Sequence, residues 1–533
     1  MSHPLNQESL SLMSLAEPRL TVRAARPDWH APRLAAAVIA LALTSAIVAA
    51  FASSFEAWTS ASLVALALVT LTAVWISGGA ATALVGLVTP APAMTAAPAG
   101  WRPASRTAIL VTLCNEDAVP LVQHLADLRR GLDATGRSTA VDIFVLSDTS
   151  VPERIRAEER AVRPHLASGA LHYRRRSENT GRKPGNIAAW FDTHGGRYDH
   201  MLVLDADSRM APRRILDMIW QMDRRPDLGL LQAGIALRPG RTRFGRHQRT
   251  AARLLSPGFG RGFSAWSGDS GNYWGHNAIM RVAAYRAARR LPELSGRAPW
   301  GGMLLSHDFV EAAWIRRAGW AVALDPASRG SAEEAPQTIE AFHARDRRWC
   351  QGNLQHLRLM AEPGLDPVSR VHLAMGILSY LVAPVWLLLV ALFTFGGVGV
   401  AGALPLAMVA AVLLLPKLCA LADRWRATRT LRRRMIVLRA SVGELAVSSV
   451  IAPLVIVRQA ASVAAVCLGC DCGWKSRDRA KWKLRPGIGE AIFGWALAAL
   501  ALSLSGTSAL WLAPLALPLC IAPLLMHVMA RPA

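Results

Sequence analysis

The chain has 533 residues, 52% of them hydrophobic and only 18% charged, with a mean hydropathy of +0.25; apolar content so concentrated excludes a purely soluble protein, and the length exceeds that of one ordinary domain. The formal net charge of +23 would suit a nucleic-acid binder, but the basic residues hug apolar segments instead of forming a domain of their own, so no nucleic-acid partner is expected. Seven cysteines, three of them in or beside apolar runs, exclude a disulfide framework, and Cys467, Cys470 and Cys472 lack the second cluster that a zinc site would use.

Residues 1–33 read as a cytoplasmic N-terminal tail. The runs 34–51 and 62–88 are nearly free of charge and predict a transmembrane hairpin over 34–89. The length of the tail, and the second run behind the first, argue against a secretory signal. A hydrophilic block, 90–370, follows a linker carrying Pro90, Pro92 and Pro98. In it, 107–113 (TAILVTL) reads as a buried strand and 119–134 as a helix. The run 141–146 (VDIFVL) is a second strand, followed by a helix at 152–164; 171–173 and 201–204 are further strands. Asn186 is expected to open a helix after Pro184-Gly185. Alternating strands and helices predict an open α/β sheet, whose ligands bind beyond the carboxyl ends of the strands. Gly258, Gly260 and Gly262 are evenly spaced, but no strand precedes them, so they do not read as a phosphate-binding loop.

Five further apolar runs occupy 371–533, at 375–398, 401–422, 442–466, 491–504 and 509–529. Basic stretches at 423–435 and 475–485 mark the cytoplasmic side and place the block 90–370 there too. If 442–466 crossed once, 475–485 would fall outside. A hairpin-like, re-entrant or interfacial element, opened by Glu444 and broken near Pro453, is therefore expected. The whole predicts a multi-pass membrane helical bundle carrying a cytoplasmic α/β domain.

The chemistry concentrates at the strand ends. Asp205 and Asp207, at i and i+2 after MLVL, can address one divalent cation, and Mg²⁺ or Mn²⁺ binds through carboxylates and phosphates; such an ion would neutralise a departing diphosphate. Asn115, Glu116 and Asp148 stand at the other strand ends, suited to a nucleoside. Lys183, in a basic stretch beside a helix start, suits a phosphate. Trp274 and His276, in GDSGNYWGHNAIM, offer stacking and hydrogen bonds to a sugar. His307-Asp308 opens a helical pattern. Asp308 can cap that helix or serve as general base toward an acceptor hydroxyl, with Glu311 as the spare. Arg348 and Trp349, in RDRRWCQGN, suit phosphate and sugar at the entry to the membrane.

In this order, Asp148, Asp205-Ala206-Asp207, Asp308 and Arg348-Trp349 resemble the motifs of the processive inverting glycosyltransferases related to cellulose synthase. The phrases LCNED, LDADS, YWGHNAIMR, LSHDFVEAAWIRRAGW and RDRRWCQGN are most similar to the enzymes of osmoregulated periplasmic glucan synthesis, a branch of glycosyltransferase family 2. The resemblance implies a GT-A nucleotide-diphospho-sugar transferase domain in a Gram-negative inner membrane, with UDP-glucose as donor and Mg²⁺ (or Mn²⁺) as cofactor. It implies a growing β-1,2 glucan chain and membrane lipids as partners, with acyl carrier protein in some members and periplasmic glucan-processing proteins beyond. Asp308 would be the base. Asn115, Glu116, Asp148, Lys183, Asp205 and Asp207 would hold the donor, and Trp274, His276, Arg348 and Trp349 the acceptor. Arg345 stands where the wider group has Gln, and His307 where it has Glu, which favours the glucan branch. A non-processive transferase acting on a lipid, and a nucleotide-regulated transporter, are the competing readings.

Overall fold

The structure, a computed structural model, describes residues 29–90, 96–472, 485–504 and 507–532. All of the basic stretch 475–485 but its last residue, Arg485, and most of the N-terminal tail thus lie outside the described residues. Two apolar helices, α1 (His30–Ser54) and α2 (Ser60–Val88), come first. The block then alternates β1 (Thr107–Leu113), α3 (Ala118–Asp133), β2 (Val141–Ser147), α4 (Pro152–Ala167), β3 (His172–Arg175), α5 (Arg182–His194) and β4 (His200–Asp205). It continues with β5 (Arg209–Met210), α6 (Pro212–Arg224), β6 (Leu228–Ala233), β7 (Ala236–Leu237), α7 (Arg243–Ser267), β8 (Ala278–Arg281) and α8 (Val282–Ala288). α9 (His307–Arg317), β9 (Ala321–Asp325), β10 (Ser331–Glu333) and α10 (Ile339–Gln355) complete it.

Seven strands form one sheet in the order β3-β2-β1-β4-β8-β6-β9, while β5, β10 and β7 form a small second sheet. β1 runs parallel to β2 and β4, and β8 is antiparallel to both β4 and β6. Successive residues of β1 serve opposite faces, as strand geometry demands. Ala108 and Leu110 join Phe144 and Trp190 on one side, and Ile109, Val111 and Leu113 join Leu121 and Leu125 on the other. A sheet covered on both faces explains the near-continuous apolar strands. The register sets Leu113 opposite Ser147 and Thr112 opposite Asp205, so the chain leaves β1, β2 and β4 along a single edge.

The expected α/β core and helical bundle are both present. α5 begins at Arg182, four residues before the expected start, because Pro184 is tolerated in a first turn. β3 lies slightly later than expected.

The remaining helices are α11 (Pro367–Phe395), α12 (Leu404–Ala427), α13 (Leu431–Cys467), α14 (Ile488–Ser503), α15 (Thr507–Cys520) and α16 (Ala522–Ala530). Five described helices are long and apolar enough to cross a membrane, six if the bent pair at Cys520 counts as one. A hairpin over 442–466 is not formed. α13 is one unbroken helix of 37 residues with Pro453 inside it, about 55 Å long at ~1.5 Å per residue. Its contacts explain its course. Ile451 and Leu454 pack with Phe244 of α7, Val463 and Val466 pack with Cys350 of α10, and beyond its end the Cys472 amide donates to Gln351 Oε1 (2.8 Å). The same Val463 and Val466 meet Ile377 and Tyr380 of α11, so α13 joins the polar block to the helical bundle, and it is one of the five helices long and apolar enough to cross a membrane.

The glycines of α7 also find their reason. A Cβ on Gly262 would overlap the Thr82 carbonyl of α2, and one on Gly86 would overlap the Gly258 carbonyl of α7. The two helices therefore touch backbone to backbone, the contact that small residues permit between membrane helices. Gly262→Ala is expected to cost about 1–3 kcal/mol. Gly79→Ala, where a methyl meets nothing within 4 Å, should be neutral. Thermal unfolding in detergent checks this, and equal melting temperatures for the two variants would refute the contact.

Candidate active site

β4 delivers Asp205 to the sheet edge. Its carboxylate receives a hydrogen bond from Thr112 Oγ1 (3.3 Å) and pairs with the Lys183 ammonium, which rises from the first turn of α5. The same ammonium donates to the Gly275 carbonyl (2.6 Å). Burial would raise the Asp205 pKa, but Lys183 and His276 outweigh it and hold it at about 2. The turn that follows is gripped by its own side chains. The Asp205 amide donates to Ser208 Oγ (3.1 Å), and Arg209 Nη1 donates to the Ala206 and Ser208 carbonyls (3.0 and 2.8 Å).

Asp207 has no ion pair among the described residues. Burial raises its pKa, and the negative charges of Asp205 and Glu333 raise it further. Among the described residues no three acidic, His or Cys side chains converge to hold a metal by themselves. A pair of carboxylates with unbalanced negative charge nonetheless fits Mg²⁺ or Mn²⁺, which take the rest of their oxygens from phosphate and water.

His276 stands in this group. Its Nε2 lies 3.1 Å from Glu333 Oε2 and its Nδ1 3.3 Å from Ser208 Oγ. Burial alone would strip its proton, but Asp205 and Glu333 raise its pKa to about 9, so it is an imidazolium at neutral pH. The structure thus places His276 beside the Asp205–Asp207 turn, at the expected donor end, and not with Trp349.

Asp308 lies in the first turn of α9, whose N-cap, Ser306, makes no side-chain capping bond. Its pKa is raised by burial, against the pull of His307. Gly275, with φ +88°, faces it, and a Cβ there would sit 3.3 Å from Asp308 Oδ2. One glycine therefore has the Lys183–Asp205 pair at its carbonyl and Asp308 at its α-carbon. Glu311, the spare candidate, is committed to His307 Nδ1 at 3.1 Å.

Asp148 is buried and gives both oxygens to Arg176, at 2.7 Å (Nε) and 2.8 Å (Nη2). Arg176 also donates to the Arg182 carbonyl (3.1 Å), which ties the end of β2 to the start of α5. Asn115, with φ +66°, accepts from the Ser150 and Val151 amides (3.0 and 3.1 Å) and so fixes the loop after Asp148. Glu116 is exposed beside it and accepts from the Cys114 amide. Trp274 packs against Phe263, Trp266, Leu324 and Val368 and faces the start of α11. On α10, Trp349 is 42% exposed, with the Arg345 guanidinium 4.5 Å from its ring centre; burial lowers the pKa of Arg348. The end of α10 is joined to the Asp308 segment through Gln355, which accepts from the Leu305 amide (3.0 Å), and through the next residue, His356, whose Nε2 is 2.9 Å from the Ser306 carbonyl and whose ring stacks on Phe309.

Residues 108–288 match glycosyl transferase family 2, and residues 200–419 match glycosyl transferase family group 2. Glucans biosynthesis glucosyltransferase H of Xanthomonas oryzae pv. oryzae is 38% identical over 493 residues, covering 84% of this chain and 76% of that protein. The chain belongs to the glucans biosynthesis glucosyltransferase H family. The Bradyrhizobium diazoefficiens member is 39% identical over 454 residues, covering 78% of this chain and 61% of its own length. The chain thus spans less than two thirds of that relative. Among solved structures, a mannosyltransferase from Pyrobaculum calidifontis, in complex with GDP-Man and Mn²⁺, is 16% identical with a TM-score of 0.45, covering 76% of this chain and 97% of that one. Like other members of the glucosyltransferase H family, which occur in Gram-negative bacteria, the chain is a glycosyltransferase, and its apolar helices make it a multi-pass inner-membrane protein.

The sequence reading did not single out Arg176, Ser208, Gly275 or Glu333 for these contacts. Arg176 lay inside the basic run YRRRS and Gly275 beside the singled-out Trp274. Glu333, which arrives on the small second sheet, carries no local signal.

Proposed function

We propose that the protein is a processive, inverting glucosyltransferase. It takes glucose from UDP-glucose on the cytoplasmic face, builds the β-1,2-linked backbone of osmoregulated periplasmic glucans and passes it through the membrane bundle. The observation that carries this reading is the convergence on Gly275, with a base candidate on one side and a cation-rich diphosphate pocket on the other. Inversion asks for that opposition. Asp308 takes the proton of an acceptor hydroxyl as its oxygen bonds to the anomeric carbon, while the bond from that carbon to the diphosphate oxygen breaks. Lys183 and the His276 imidazolium meet the charge left on UDP. Mg²⁺ or Mn²⁺, held by Asp205 and Asp207, would supply further charge neutralisation there. The Asp148–Arg176 pair, with Asn115 and Glu116, forms the nucleoside side. Trp349, one face open, stacks on the acceptor sugar with Arg348 beside it, and Trp274 lies on the way to α11. The glucan product and the family's carrier and processing partners come to this chain from the resemblance and from the relatives' name.

The test is to incubate the protein, in membranes, with labelled UDP-glucose and Mg²⁺. UDP release together with a polymer of β-1,2 linkage is expected. A single sugar on a lipid would replace the polymer reading by a lipid-directed transferase, and nucleotide binding without turnover would replace both by a regulated transporter.

A further inference from the structure

α10 carries Trp349, and it is held from two sides. Toward the base, Gly352 packs so closely on Ser306 that a Cβ would overlap it. Gln355 Oε1 accepts from the Leu305 amide (3.0 Å), and His356 lies 2.9 Å from the Ser306 carbonyl. Toward the membrane, Cys350 and Leu354 pack with Ile377 and Tyr380 of α11 and Val463 and Val466 of α13. A Cβ on Gly376 of α11 would overlap the Asn353 amide oxygen.

One charged residue joins the second set. Asp346, 5% exposed, accepts from Tyr380 Oη of α11 at 3.1 Å and from Gln459 Nε2 of α13 at 3.3 Å, one bond on each carboxylate oxygen. It lies three residues before Trp349, nearly one helical turn, and next to Arg345, whose guanidinium covers one face of that indole. A buried carboxylate is costly unless it is paired or fully hydrogen-bonded. The transfer chemistry at Gly275 has no use for this one, and its only bonded partners among the described residues sit on two different helices of the bundle.

We propose that Asp346 is a positioning residue that locks the acceptor-binding helix to α11 and α13, so that Trp349 keeps its place between the base and the membrane path while the product is extended. The assignment rests on the polymerase reading above. Its substrate is the acceptor end of the glycan, and its role is retention of that end between additions. The donor pocket, built on β4, α5 and the Gly275 loop, shares no bond with Asp346.

The experiment measures UDP release and product length together for the wild type, Asp346→Ala, Asp346→Asn and the double variant Tyr380→Phe/Gln459→Leu, each checked for folding by its gel-filtration profile. Asparagine keeps one acceptor for Tyr380 and can pair with a rotated Gln459 amide. Removing the acceptor altogether leaves two buried donors unsatisfied. Asp346→Ala and the double variant are expected to shorten the product about tenfold while UDP release stays within about twofold of wild type, and Asp346→Asn to restore most of the length. Unchanged product length, or length and UDP release falling in parallel, would overturn the assignment. If the wild type adds only one sugar, the polymer reading itself fails. The Asp346 assignment is then decided by the acceptor KM of Asp346→Ala, where a value equal to wild type rejects it and a raised value with unchanged kcat sustains it.

Discussion

Asp308→Asn is expected to lower glucosyl transfer by about 10²–10⁴-fold, the usual contribution of a positioned general base, while UDP binds as it does to the wild type. The asparagine keeps the shape of the side chain and its place facing Gly275 but cannot accept the hydroxyl proton. The pH dependence follows from the direction of the shift. Burial raises the Asp308 pKa, so the basic form appears only above the ordinary carboxylate range, and kcat/KM should rise with pH through that raised value before levelling. The same shift has a sign for stability. A carboxyl whose folded pKa is raised stabilises the fold fully below its unfolded pKa, and that contribution is lost as pH rises through the folded pKa. At neutral pH the charged form is therefore a cost, and Asp308→Asn should melt no lower than wild type while being nearly inactive. Rate profiles and thermal melts on the two proteins check both halves. Full activity in Asp308→Asn would remove Asp308 from the reaction and pass the role to another group.

What could be read from the residues was what adjacency in the chain dictates. β1 was legible to the residue because TAILVTL is a buried strand bounded by polar residues, and Asp205 was legible as a strand end for the same reason. Asp148 was legible as a position but not in its state, because the pairing with Arg176 joins β2 to the segment after β3. The expected break of 442–466 failed on Pro453. Proline signals a helix end when local terms decide, but packing against α7, α10 and α12 outweighs one missing hydrogen bond in so long a helix. The position of His276 also depended on distant residues. Its sequence neighbour Trp274 suggested a sugar face, whereas Glu333, delivered by β10, and Ser208, in the turn after β4, fix its ring beside Asp205. The glycines at 258 and 262 follow no strand, and their use in close helix packing could not be seen until α2 lay against α7.

Asp207→Asn is the second variant expected to have a large effect, and it bears on the cation. Asp205 already has Lys183, so it can remain ionised without a metal. Asp207 has no such partner among the described residues, and burial with Asp205 and Glu333 nearby makes its charge unfavourable. A divalent ion bound between these carboxylates and a diphosphate would relieve that cost only in the presence of both, which makes metal and nucleotide binding cooperative. In the wild type, UDP should therefore bind more tightly with Mg²⁺ than with EDTA. In Asp207→Asn the two titrations should coincide, and transfer should fall by about 10²–10³-fold, in line with the loss of one element of charge stabilisation. Lys183→Ala separates the two contributions. It removes the ammonium that the pocket owns without metal, so UDP should bind more weakly in Mg²⁺ and in EDTA alike. Calorimetric titration of UDP into the three proteins, with and without Mg²⁺, decides the matter. A wild type whose UDP affinity ignores Mg²⁺ would mean that Lys183 and the His276 imidazolium carry the diphosphate alone, and that the two aspartates serve to hold those cations in place.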